Sequence, residues 1–151
     1  MSAIIGLEQT PRFTSRGSHT LKWPTILVRV IRLKYDPHDD LNPGSWLALD
    51  ESERIDSVIQ YHRRQGIRLP DKTVHALIHV IVENQVALGD KYPVKSVLSR
   101  LIAEGLDRHE TVHAIGSVLT GQFFDAVKQK SSGTDLNAQY LDELNRLTAA
   151  G

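Results

Sequence analysis

Residues 70–89 read PDKTVHALIHVIVENQVALG, and this stretch decides the fold. Pro70 and Asp71 suit a helix start and Gly89 a helix end. Between them Val74, Leu77, Ile78, Val80, Ile81, Val82 and Val86 fall on nearly every side of a 3.6-residue period. A helix that is apolar almost all round belongs in the middle of a bundle. Among its polar side chains, His75, His79 and Glu83 fall at successive i, i+4 spacings, which place them in one stripe.

Working outward, Asp50 with Glu53 forms a capping box ahead of ESERIDSVIQYHRRQ, and Gly66 closes this first predicted helix. Its inner stripe is Ile55, Val58, Ile59 and His62. Downstream of the central helix, Pro93 starts a third, with Val94, Val97, Leu98, Leu101 and Ile102 inside and Gly105 at its end. Asp107 with Glu110 caps a fourth that reaches about Lys128. A linker at Ser131-Ser132-Gly133 leads to a short amphipathic helix carrying Leu136, Tyr140, Leu144 and Leu147. The expectation is an all-α, up-down helical bundle of four main helices over residues 35–130, with a linker and short helix over 131–151. Residues 1–34 read as a flexible or loosely packed, irregular extension, of which 1–20 are rich in Ser, Thr and Gly without periodicity and 25–33 (TILVRVIRL) are a strand or a helical turn. Trp46 is expected to anchor the segment ahead of the first helix, and Trp23 has no assigned role.

Composition narrows the function classes. The 151 residues hold 18 basic and 18 acidic side chains, a balance that gives no reason to expect nucleic acid or an anionic membrane as partner. There is no cysteine, which removes disulfides, thiolate-bound zinc, iron–sulfur clusters and thiol catalysis. No apolar run approaches the roughly 20 residues that span a bilayer, and Arg29, Arg32 and Lys34 interrupt the one stretch resembling a signal sequence. A cytoplasmic protein is expected, with a protein partner or a second copy of itself as the open possibilities.

The enrichment that carries information is histidine, with seven copies. Short connections make consecutive helices antiparallel, so the end of the first helix lies beside the start of the second, and the fourth runs parallel to the second. At about 1.5 Å of rise per residue, His62, His75, His79, His109 and His113 then fall in one layer, carried by three helices. Buried imidazoles without partners cost on the order of a few kcal/mol each. A divalent cation removes that cost, and neutral imidazole is its commonest protein ligand. His75, His79, His109 and His113 are the first candidates for metal ligands, His62 and Glu83 the next. Zinc is favoured slightly over iron. The alternative is a buried histidine network without metal, in an interaction module.

His109-Glu110-Thr111-Val112-His113 also spells HExxH, in which zinc hydrolases use the Glu as general base; Glu110 is therefore the candidate catalytic residue. Against this, position 119 is Leu where a third ligand would stand, the motif sits directly after a helix cap, and Glu110 has a complete structural role as the third residue of the capping box. A carboxylate-bridged di-iron or di-manganese centre is a further alternative. His79–Glu83 with His109–His113 partly resembles hemerythrin, but Glu83, Glu110 and Glu51 are few carboxylates for it and the last helix holds no histidine. Asn84 and Gln85 are candidates to orient ligands from behind, with Asn84 equally placed at the surface; Asp107 and Arg108 read as cap and first-turn surface.

From Tyr35 to Lys128 the ordered motifs NPGSWLALDESERI, Tyr61-His62, HALIH followed by ENQVALGD, and GLDRHETVHAIGSVL resemble a group of short bacterial proteins classed as a domain of unknown function. The resemblance implies a bacterial helical family without an established activity, and it places the same histidines on the same helices.

Overall fold

The computed structural model describes residues 34–129 and 133–150. The expectations for the extension up to residue 33, for Trp23 and for Ser131-Ser132 lie outside the described residues. Within them the fold is all-α: α1 (Pro43–Leu47), α2 (Glu51–Arg64), α3 (Lys72–Ala87), α4 (Val94–Ala103), α5 (Arg108–Gln129) and α6 (Gly133–Arg146), with a 3-10 turn at Gly89–Lys91. Helices α2 to α5 are the four read from the sequence. The short α1 and the 3-10 turn are additions, and α6, at 14 residues, is as long as α2.

Local chemistry sets the boundaries. Asp50 accepts a hydrogen bond from the Glu53 backbone N–H at 2.8 Å, and the Glu53 carboxylate accepts from Asp50 N–H at 3.0 Å, so the capping box is complete. Asp71 accepts from Thr73 and Val74 N–H at the start of α3. At the end of α2, Gly66 adopts φ +69°, which lets Ile67 N–H reach the His62 carbonyl and Gly66 N–H the Arg63 carbonyl. The turn that ends α2 is thus built on the backbone of a site histidine.

Two hydrophobic clusters flank α3. Tyr35, Trp46, Val58, Tyr61, Ala76 and Val80 form one, between the entering chain, α1, α2 and α3. Val82, Val94, Val97, Leu98, Leu101, Val112, Ile115, Tyr140 and Leu144 form the other, among α3, α4, α5 and α6. Each large apolar side chain buried this way contributes roughly 1.5–3 kcal/mol, and α3 supplies both clusters as its all-round apolar character requires. Trp46, fully buried, anchors the chain ahead of α2 and donates its indole N–H to Asn84 Oδ1 at 2.8 Å. Asn84 also accepts from Arg54, and Gln85 accepts from the Tyr140 hydroxyl at 2.7 Å. Those bonds correct the expectation that Asn84 and Gln85 orient metal ligands: both hold helices together away from the histidines.

Arg100 clips α4 to the end of α6 by donating to the carbonyls of Leu147 and Leu144, at 2.7 and 3.0 Å. The approach of α3 to α5 depends on Gly116, where an added Cβ would lie 2.6 Å from Ile78 Cγ2. Gly116 therefore serves helix packing. It brings together the two helices that carry four of the histidines.

Candidate metal centre

His62 occupies the last turn of α2, His75 and His79 the first two turns of α3, and His109 and His113 the first two turns of α5. The antiparallel turn between α2 and α3, and the parallel course of α3 and α5, put all five rings at one end of the bundle. One ring nitrogen from each of His62, His79, His109 and His113 lies within 4.8 Å of the other three, an arrangement that could hold a metal ion. His75 stands at the edge of this group, with its Nε2 3.0 Å from His62 Nε2. His113 Nε2 lies 2.9 Å from His79 Nε2.

Partners outside the cluster fix two of the rings. The Val58 carbonyl, 3.0 Å from His62 Nδ1, can only accept, so Nδ1 carries the proton and Nε2 a lone pair. The Tyr35 hydroxyl donates to Glu83 Oε1 at 3.0 Å and therefore accepts from His79 Nδ1, 3.1 Å away. His79 Nε2 is then also a lone pair turned into the cluster. Both rings present the atom a metal needs, held from behind by a carbonyl or a tyrosine as metal-binding imidazoles commonly are.

The cluster keeps its rings neutral. Burial first, then the neighbouring histidines, push His79 down to about 2 and His75 and His109 down to about 4; His113 is lowered by the same causes. One atom stays unmatched: His109 Nε2 is buried with no hydrogen-bond partner. A buried ring nitrogen left this way costs about 1–3 kcal/mol.

Glu83 is on the expected stripe and fully buried, but it is otherwise engaged. Arg108 donates from Nη1 to Oε1 and from Nη2 to Oε2, both at 2.8 Å. Burial opposes the guanidinium's charge, yet the Glu83 hydrogen bonds and charge hold its pKa above the ordinary value. Arg108 also donates to the Pro37 carbonyl at 3.0 Å. This corrects the reading of Arg108 as first-turn surface: only 7 % of it is exposed. The orphan histidine nitrogen and the occupied carboxylate together make the candidate ligand set all imidazole.

Two participants escaped the sequence reading. Tyr35, 1 % exposed, links His79 to Glu83, and its phenol is pushed well above the usual range by burial and then by Glu83. His38, exposed, packs edge-on against His109 with centroids 5.3 Å apart. The buried Glu83 in an apolar helix was the signal available for Arg108, since such a carboxylate demands a cation at its own level. Glu110 is exposed and completes the second capping box, its carboxylate accepting from Asp107 N–H at 3.1 Å while Asp107 accepts from Glu110 N–H at 2.8 Å.

Among the described residues no helix is long and apolar enough to cross a membrane. No family model, no curated protein and no solved structure matches the chain.

Proposed function

We propose that the protein binds a divalent transition metal ion through His62, His79, His109 and His113, with His75 beside them. The observation that carries this reading is that one ring nitrogen from each of these four histidines lies within 4.8 Å of the other three, with His109 Nε2 buried and unpartnered. A cation among these atoms accepts every inward lone pair at once, which no arrangement of protons among the rings does. Glu83 acts one layer out, holding Tyr35 and through it the tautomer of His79. The imidazole inventory suits zinc, the sequence-based preference, and equally iron, copper or nickel.

A histidine network without metal is the second reading, supported by the two Nε2–Nε2 contacts at hydrogen-bonding distance. It accounts for His62, His75, His79 and His113 but leaves His109 unmatched. The zinc hydrolase reading would require Glu110 to leave its cap and serve a bound water as base.

Calorimetric titration of tag-free, chelator-treated protein with Zn²⁺, Fe²⁺ and Cu²⁺ separates the readings. Saturation at one ion per chain, abolished by His79→Ala together with His113→Ala while the helical circular dichroism persists, is expected. Absence of saturable binding for all three ions contradicts the proposal.

A further inference from the structure

The geometry points to a five-imidazole, square-pyramidal centre that leaves one coordination position, opposite His79, for an exogenous ligand. This inference rests on the metal-binding reading above and adds the coordination number and the class of metal.

The ring positions carry it. His79 packs against four other histidine rings, with centroids 5.0 Å from His62, 4.7 Å from His75, 5.3 Å from His109 and 4.9 Å from His113. Those four form a closed circuit: 4.6 Å from His62 to His75, 5.1 Å on to His113, 4.3 Å on to His109 and 5.5 Å back to His62. His62 therefore lies across from His113 and His75 across from His109, with His79 at the apex. A tetrahedral site has neither an apex touching four neighbours nor opposite pairs.

Nitrogen spacings agree. At metal–nitrogen distances of about 2.1 Å, ligands at right angles sit about 3.0 Å apart and opposite ligands about 4.2 Å, against about 3.4 Å for every pair in a tetrahedron. The Nε2 atoms of two neighbouring pairs, His62–His75 and His79–His113, stand 3.0 Å and 2.9 Å apart, a spacing that right-angle ligands share with a ring-to-ring hydrogen bond. His62 and His113, opposite one another, belong to the group whose ligand atoms all fall within 4.8 Å. His75 is outside that group, so to serve as the fifth ligand it has to swing inward from its place beside His62, where its Nε2 lies 3.0 Å from His62 Nε2.

Five neutral nitrogens leave a divalent ion its full charge. The sixth position then suits water, hydroxide or a small anion, and reaching it is feasible because His113 is exposed and His75 partly so. Such a shell favours Fe²⁺, Co²⁺, Ni²⁺ or Cu²⁺, which take five or six ligands readily, over structural zinc, which is nearly always four-coordinate.

Cobalt(II) is the probe, because its visible d–d bands are severalfold weaker in five- or six-coordinate sites than in tetrahedral ones. Tag-free full-length protein loaded with one equivalent of Co²⁺ is expected to show the weak bands, and added azide to shift them by occupying the open position. His75→Ala is expected to retain cobalt and raise the band intensity severalfold. Intense tetrahedral bands in the wild-type protein overturn the five-ligand inference while leaving metal binding intact, as does a wild-type spectrum indifferent to azide. Failure to take up cobalt, zinc, iron or copper at all overturns both.

Discussion

Arg108 meets Glu83 through two parallel hydrogen bonds of 2.8 Å, and the carboxylate is fully buried beneath the histidines. Removing one partner of such a pair leaves a buried charge without compensation, at a cost of about 3–5 kcal/mol. Arg108→Met is expected to lower the unfolding free energy by that order in urea denaturation. Combining it with Glu83→Gln should recover part of the loss, because the stranded charge is then gone. Equal destabilisation by the single and double variants would show that the pair is not coupled.

Tyr35→Phe removes the hydroxyl between His79 Nδ1 and Glu83 Oε1 with little change in shape. Groups that orient a metal-bound imidazole from behind typically alter affinity 10–100-fold. A weakening of zinc or cobalt binding in that range, with the stoichiometry unchanged, is the expected outcome of calorimetry. Undiminished affinity would mean that Tyr35 only fills space.

Gly116→Ala places a Cβ 2.6 Å from Ile78 Cγ2. Overpacking of this kind costs about 1–3 kcal/mol, and the separation of α3 from α5 pulls His79 away from His113. Melting temperature and metal affinity should fall together, and the double variant with Ile78→Ala should regain metal affinity. Loss of stability with affinity untouched would mean that the cluster does not depend on this crossing.

In the chelator-treated protein, stability should decline on the acid side of the ordinary histidine range. Burial and the neighbouring histidines push His75 and His109 down to about 4 and His79 down to about 2 in the folded chain, while in the unfolded chain each takes its proton near the ordinary histidine value of about 6.5. Below that value the unfolded state binds more protons than the native one, so the unfolding free energy falls as pH falls. Each such histidine steepens the slope by up to about 1.4 kcal/mol per pH unit. A melting temperature steady from about pH 8 to pH 7 and dropping below about pH 6.5 is expected, and a bound ion should raise it throughout the neutral range. A flat profile down to pH 5 would contradict neutral, buried rings.

Glu110→Gln tests the role of the HExxH glutamate. Glutamine retains a capping-box acceptor, so a stability change of less than about 1 kcal/mol and full metal retention are expected. Loss of a hydrolytic turnover with metal and fold intact would move Glu110 from cap to catalysis.

Much of this architecture is legible in the sequence because its signals are local. Asp50 with Glu53 and Asp107 with Glu110 mark helix starts within three residues, and both boxes are formed. Short loops then dictate which helix ends meet, and that places His62, His75, His79, His109 and His113 together before any coordinates are known. What stayed hidden depends on long-range contact. Tyr35 is 44 residues from His79 in the chain and sits in a stretch without periodicity. Arg108, next to a helix cap, has the local pattern of a surface residue; only its distant partner Glu83 makes it a buried one. The short α1 carries too few residues for any period to register.

Elemental analysis of tag-free protein, as purified and after reconstitution, decides whether the histidines hold a metal ion. A transition metal near one equivalent per chain is expected in at least one of these states, held through gel filtration and lost on chelation with a fall in melting temperature. Less than about a tenth of an equivalent of any transition metal, unchanged by reconstitution, would contradict it.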